Sequence, residues 1–385
     1  MFAIPLAWLQ LRRETIRLLI ALAGIGFAVI LMFVQLGFRD ALFDSAITLH
    51  QNLRGDVFLI SPQSTALIAM KSFSQRRLYQ ALSYGEVESI SEIYLDFGLW
   101  KNPENRSTRS IMVIGFPPQN QVLDLPEVNQ SLDKIQIPDV VLFDDASRPE
   151  FGPIPERFNQ GEPIATEVAG RRVNVGGLFK LGASFGADGN LVTSDLNFLR
   201  IFERRKKGLI DVGLIKLKPG VDLTAILATL RQNLEVEQDI KVLSKAEFID
   251  FEKNYWQSST AIGFIFTLGA AIGFIVGTVI VYQILYTDVA DHLAEYATLK
   301  AMGYKNLYLL KIVFQEALIL SILGFIPGFV LCLILYNLTR NATALPLSMT
   351  VDRGVLVLCL TIVMCVISGA IAVRKVQEAD PADIF

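Results

Sequence analysis

Four long apolar runs frame one large polar insert, and this layout constrains the chain more than any single residue does. Leu18–Leu36, Ile262–Tyr286, Ile312–Tyr336 and Gly354–Val373 are each long enough to cross a bilayer as a helix, which takes about 20 residues. Between the first run and the second lies more than half of the 385-residue chain, in ordinary mixed sequence. So few spans around so large an insert suit a protein that connects two compartments. They do not suit a channel or a secondary transporter.

Short-loop charge sets the expected orientation. Arg12, Arg13 and Arg17 precede the first run, Lys300, Lys305 and Lys311 lie between the second and third, and Arg374 and Lys375 follow the fourth. The positive-inside rule then places both termini and the 287–311 loop in the cytoplasm and has the insert translocated. No small-x-small cleavage site occurs in Gln35–Asp40, so the first run reads as a retained anchor.

Composition removes several classes of function. Acidic residues slightly outnumber basic ones between Arg39 and Lys253, so nucleic-acid binding is not expected. The run Arg204–Lys207 reads as a solvated turn, or as a contact for a lipid headgroup or partner. Cys332, Cys359 and Cys365 all lie in apolar runs, which leaves the insert without disulfides. His50 and His292 fall in different segments, so no metal site or Cys/His dyad is predicted. No Walker A motif occurs, and the chain is not expected to hydrolyse ATP or to bind a cofactor of its own.

The local pattern divides the chain further. Residues 1–17 read as an amphipathic elbow helix carrying Trp8 at headgroup level. Residues 18–53 read as a span that continues as a stalk, because Phe38, Leu42, Ala46, Leu49 and Leu53 keep helical spacing. Residues 37–53 would reach about 25 Å beyond the bilayer. A similar stripe, Phe248, Phe251 and Tyr255, precedes span two, so 245–286 is a second stalk and span, and the two stalks are expected to pack together. The insert, 54–244, reads as α/β. Val57–Ile60, Ile111–Gly115 and Val212–Leu217 are strand-like, and Asp222–Asn233 is a helix started by Asp222. Its ends, 54–116 and 203–244, resemble one another, and the Pro- and Gly-rich middle, 117–202, reads as a β subdomain. The stretch Gly177–Gly189 lacks phosphate-loop spacing and is expected to form turns and a hairpin. Spans at 312–336 and 354–373, a short loop at 337–353 and a tail at 374–385 complete the chain.

Three features stand out as candidate sites. Gly269, Gly273 and Gly277 lie on one face of span two and would let backbones approach closely, and Gly324 and Gly328 repeat the spacing around Pro327. Glu316 is an acid about one turn inside span three, expected to bond a neighbouring helix or loop, with an ion relay as the alternative. The 287–303 loop steps Val289, Leu293, Tyr296 and Lys300 at helical spacing before Gly303, which suits a surface helix that docks a soluble partner.

Glu295–Gly303, reading Glu-Tyr-Ala-Thr-Leu-Lys-Ala-Met-Gly, resembles the E-I-x-x-L-R-A-L-G segment of the MacB/FtsX/LolC superfamily of ABC-transporter permeases. Leu6–Arg13, Phe314–Ala317 with Gly324 and Gly328, and Asp380–Ile384 resemble further parts of that pattern. Asp288–Tyr304 and Ser184–Phe202 are most similar to DevC-type permeases of cyanobacterial exporters. The resemblance implies an α-helical membrane protein with four transmembrane helices and a large periplasmic α/β domain inserted between helices 1 and 2, the type VII, MacB-like architecture. It implies a homodimer in the bacterial inner membrane, in contact with membrane lipid. A separate cytoplasmic ATPase would bind ATP and magnesium, and a periplasmic adaptor (a membrane fusion protein), a TolC-like outer-membrane duct and a glycolipid cargo would complete the system. Asp288, His292, Glu295, Tyr296, Lys300, Met302 and Gly303 would contact the ATPase. His292 and Ala294 stand where the family often has arginines, so the charge pattern of that contact differs. A LolC-like lipoprotein-release permease and an FtsX-like regulator of a cell-wall hydrolase remain alternatives.

Overall fold

The structure, a computed structural model, describes residues 15–292, 298, 302, 306–343 and 345–378. Helices of seven residues or more are α1 (Thr15–Asn52), α2 (Asp195–Ile201), α3 (Leu223–Leu234), α4 (Lys245–Asn254), α5 (Ala261–Asp291), α6 (Asn306–Thr343) and α7 (Val351–Glu378). The strands are β1 (Val57–Ile60), β2 (Phe73–Ser74), β3 (Val87–Lys101), β4 (Thr108–Phe116), β5 (Val140–Asp144), β6 (Ala165–Val168), β7 (Arg171–Phe179), β8 (Asn190–Ser194), β9 (Leu209–Ile210), β10 (Val212–Leu217) and β11 (Lys241–Ser244). Among the described residues one compact unit takes 15–41, 261–342 and 347–378, and the other takes 42–260 with 343–346.

Nine strands of the second unit form one mixed sheet, ordered β11-β1-β10-β3-β4-β8-β5-β7-β6, and β2 pairs with β9 apart from it. The 15-residue β3 ties the sheet together. Its first half pairs with β10 and its second with β4. Segment 117–202 supplies β5 to β8 at one end, and the flanking segments supply the rest. Side chains alternate across the sheet as the pleat requires. Val57 and Leu59 join one apolar cluster, with Leu230 and Leu234 of α3. Phe58 and Ile60 join another, with Leu49, Leu53 and Phe248.

The helices start where local chemistry permits. The Asp222 carboxylate accepts the Thr224 N–H at 2.9 Å and caps α3. Ser244 and Glu247 form a capping box on α4. Arg231, helped by Ser244, draws the Glu247 carboxyl down to about 2. The stalk stripe continues as the spacing predicts: α1 runs unbroken to Asn52, with Leu42, Ala46, Leu49 and Leu53 buried.

Two expectations fail. The second stalk, expected to run on into its span over 245–286, is interrupted: α4 ends at Asn254, Tyr255–Ser259 is a π-helical turn and Thr260 is extended before α5 starts at Ala261. Strands β7 and β8, either side of Gly177–Gly189, form no hairpin with each other. Strand β5 lies between them, parallel to β7 and antiparallel to β8. The cause is the buried Asp144 at the end of β5. Its carboxylate accepts N–H groups from Ala146, Leu181 and Gly182 at 2.9–3.1 Å and the Asn190 side-chain amide at 2.7 Å. These bonds wrap the glycine-rich loop over the end of β5. Burial pushes the Asp144 carboxyl above its usual range despite the four donors.

Among the described residues four helices are long and apolar enough to cross a membrane: Thr15–Asn52, Ala261–Asp291, Lys311–Thr343 and Val351–Val373. They share a cluster that includes Ile25, Val29, Met32, Phe33, Leu285, Leu320, Tyr336, Val357 and Met364. Phe264, Ile272, Val279, Ile326 and Leu338 face outward and stay exposed, as a lipid-facing surface would. At the end where α6 stops and α7 begins, the Arg353 guanidinium donates to Asp40 Oδ2 at 2.8 and 3.1 Å and to the Ser348 carbonyl at 2.7 Å. Its charged carbon lies 5.8 Å from the Tyr336 ring centroid, and the Tyr336 hydroxyl donates to the Phe33 carbonyl.

Replacing Asp144 by Ala strands four donors in a dry interior and should cost about 2–4 kcal/mol. Thermal or denaturant unfolding of the D144A chain should show the loss; an unchanged midpoint would mean that water can enter and satisfy the loop.

Candidate functional site

The end of the first unit next to the 287–303 loop gathers ionisable groups from three helices. Arg17 of α1 pairs with Asp291 of α5 at 2.5 Å. One turn earlier, Asp288 faces Glu316 of α6, whose carboxyl is wholly buried. His292, also buried, places Nδ1 2.9 Å from the Asp288 carbonyl oxygen and 3.7 Å from Asp288 Oδ1. A buried carboxyl costs several kcal/mol when left without a compensating partner. His292 is the cation-capable group beside this pair. The arrangement can hold a proton or a charge next to the 287–303 loop. It brings together three residues picked from sequence: Asp288, His292 and Glu316. Met302 is exposed. Glu295, Tyr296, Lys300 and Gly303 lie outside the described residues.

The glycine stripes find their partner inside the chain, on α1. A Cβ on Gly273 would lie 3.2 Å from Leu31 Cβ, and one on Gly269 would lie 2.5 Å from Gln35 Cδ. On Gly277 it would meet Met364 and stand 2.6 Å from Ala28 Cβ. Gly324 presses on Ile25, and Gly328 on Val29 and on the Gly26 carbonyl oxygen, 2.9 Å from where its Cβ would be. Backbone cannot rotate away as a side chain can, so Gly328 has little room to yield. The Ser368 hydroxyl adds a bond to the Thr278 carbonyl at 2.7 Å, linking α7 to α5.

The stalks form a third site. His50 of α1 lies edge-on to Phe248 of α4, with ring centroids 4.4 Å apart. Its Nε2 is 3.8 Å from Glu252 Oε2. The Glu252 carboxylate, 1% exposed, accepts the Leu67 N–H at 2.7 Å and the Trp256 indole N–H at 2.8 Å. Burial pushes Glu252 up to about 7, against the pull of these two donors. Sequence reasoning missed Glu252 and the Asp40–Arg353 pair, and its reading of the acid pair Asp144-Asp145 as ordinary surface carboxylates is wrong for Asp144, which is fully buried. An acid inside the aromatic stripe of Phe248, Phe251 and Tyr255 was the available signal for Glu252.

Residues 264–381 match the FtsX-like permease C-terminal family. The FtsX-like segment begins within α5 and takes in Asp288, His292, Glu316 and every glycine of the two stripes. No curated protein matches the chain in sequence. Among solved structures, the periplasmic region of MacB from Actinobacillus actinomycetemcomitans is 12% identical, covering 53% of this chain and 94% of that one, with a TM-score of 0.36. The extracellular domain of the noncanonic ABC-type transporter YknZ from Gram-positive bacteria is 13% identical, covering 50% and 100%, with a TM-score of 0.34. A domain of a putative permease protein from Porphyromonas gingivalis is 11% identical, covering 50% and 88%, with a TM-score of 0.30.

Two outcomes are expected. Gly328→Leu should lower the melting temperature of the detergent-solubilised protein by several degrees, whereas Gly354→Ala, where an added Cβ meets nothing within 4 Å, should leave it unchanged; equal melting of both variants would remove close packing as the role of the stripe. The second concerns pH. The folded Glu252 carboxyl titrates above its usual value of 4.5, so its contribution is complete below that value and is lost as pH rises through about 7. The loss is on the order of 3 kcal/mol. Glu252→Gln should flatten this part of the stability–pH curve, and a curve unchanged by the substitution would refute the assignment.

Proposed function

We propose that the chain is the permease component of an ABC-type exporter. It converts ATP hydrolysis on a separate ATPase subunit into movement of the α/β domain on the far side of the membrane. The observation that carries this reading is the FtsX-like match over 264–381, which contains the 287–303 loop expected to meet the ATPase. Two further features support a mechanical route. Helix α1 is unbroken from Thr15 to Asn52, and α4 packs back on it through His50 and Phe248. The inward faces of the spans are largely apolar, with Glu316 and Asp288 at one end and Asp40 and Arg353 at the other. A polar path for cargo between the spans is therefore not what the packing offers.

In this reading the termini and the 287–311 loop are cytoplasmic and the protein lies in the bacterial inner membrane as a type VII homodimer. A periplasmic adaptor and a TolC-like duct receive a glycolipid, as the DevC-type resemblance implies. ATPase closure pushes the 287–303 segment, and the stalks pass the displacement to the sheet.

The test is purification of the tagged chain from its own membranes after photolabelling with azido-ATP. A labelled ATPase subunit should copurify, and Glu295→Lys should remove it while Glu203→Lys, on the α/β domain, leaves it bound. Absence of any ATP-labelled partner from the unmutated chain would overturn the reading.

A further inference from the structure

A basic cavity opens on the α/β domain where β3, β6 and β7 run side by side. Trp100 of β3 pairs with Val168 of β6, and both side chains are fully buried. Side chains alternate along a strand, so the next residue on each strand points the other way, out of the core. Those residues are Lys101 and Glu167, and Glu167 stands in register with Arg172 of β7. The three form a cross-strand row, with Lys101 Nζ 3.0 Å from Glu167 Oε2. The turn after β3 adds Arg106. Lys101, Arg106, Glu167 and Arg172 line a cavity of about 320 Å³, toward the small end of the range for ligand clefts, roughly 300–1,000 Å³.

Three cations face one carboxylate here. Lys101 answers Glu167, and two guanidiniums are left over. Among the described residues neither Arg106 nor Arg172 has an ion pair or a side-chain hydrogen bond, and Glu104, in the same turn, pairs with neither. The backbone at Arg106 is unusual as well, with φ at +61°. The turn imposes it. The Arg106 N–H donates to the Asn102 carbonyl at 3.0 Å, the Asn102 N–H donates to the Ser107 carbonyl at 2.8 Å, and the Asn102 side-chain oxygen accepts the Glu104 N–H at 2.9 Å. Left-handed backbone is unfavourable for a residue with a side chain, and glycine adopts it freely. The turn thus calls for that conformation but not for an arginine.

We propose that this cavity is an anion site for a phosphate monoester, with Arg106 and Arg172 as its guanidinium donors. Charge selects the group. A phosphate monoester carries about −1.5 to −2 at neutral pH and presents three acceptor oxygens, which answers two unpaired guanidiniums. A carboxylate brings one charge and two oxygens, and a single arginine satisfies it. The planar fork of arginine matches phosphate oxygens in pairs. Lys101, held by Glu167, stands beside them as a third cation. The same group occurs on soluble molecules and on lipid headgroups.

Phosphorus NMR of glycerophosphate, titrated with the full chain in a phosphorus-free maltoside detergent, tests this. Saturable line broadening is expected, and acetate at equal ionic strength should not reverse it. Arg106→Gly removes the cation and suits the backbone, so binding should fall several-fold with no loss of melting temperature. Arg172→Gln should weaken binding likewise. Arg76→Gln, at an exposed arginine elsewhere on the domain, should not. Dihexanoyl phosphatidic acid, used below its micelle concentration, carries the same group on acyl chains. Tighter binding than glycerophosphate identifies a lipid headgroup as the source, equal binding identifies a soluble phosphate, and both support the site. Absence of saturable binding overturns it, as does displacement by acetate. Equal weakening by Arg76→Gln also overturns it, by reducing the effect to general charge. Every residue involved lies in the unit of 42–260, so the outcome is independent of the permease reading.

Discussion

Close backbone approach along α1 is the constraint on which the membrane unit depends. Inside lipid, helices gain little from burying apolar side chains, since the tails are equally apolar, and association rests on packing at short range. Helix α1 meets this demand on two sides. Leu31, Met32 and Gln35 fill the space left by Gly273 and Gly269 of α5, and Ile25 and Val29 fill that left by Gly324 and Gly328 of α6. Gly37 of α1 returns the favour by making room for the Tyr336 hydroxyl, which then reaches the Phe33 carbonyl. A larger residue at Gly324 or Gly328 would push a whole helix, because the opposing atoms there are the branched carbons of Ile25 and Val29 and the Gly26 carbonyl oxygen, whereas at Gly269 the Gln35 side-chain amide can swing aside.

Among the described residues, the Asp, Glu, Arg and His side chains of this packing sit at its ends, and the polar groups buried in its middle are hydroxyls such as Ser321, Thr361 and Ser368. Asp40 and Arg353 close one end, and Asp288, His292 and Glu316 sit at the other. The same economy holds in the α/β domain. Asp144 organises one glycine-rich loop, and Glu252 joins α4 to a loop and to the turn before α5. Asp144 and Glu252 are organising points, because each carboxylate gathers N–H donors from more than one segment. That makes Glu252 suited to the mechanical role proposed for the stalks, since it binds the elements that must move as one.

Periodicity and composition made the element types legible in the sequence. The four apolar runs, the stalk continuing to Asn52, the four-residue β1 and the helix capped by Asp222 all depend on residues within a few positions of one another, and local spacing encodes them. The glycine stripes were legible as close-approach sites for the same reason. The hairpin expected at Gly177–Gly189 was not, because β5, which separates β7 from β8, lies more than 30 residues upstream of that loop.

What only the tertiary structure decided is which distant groups meet. Glycine spacing cannot say that the opposing surface is α1 of the same chain. Arg353 and Asp40 are 313 residues apart, and Glu252 reaches a backbone N–H 185 residues away. Local sequence determines a helix or a strand because the hydrogen bonds and side-chain neighbours involved are local. A buried carboxylate needs donors from wherever the fold delivers them, so its partners follow from packing and cannot be read from its neighbours in the chain.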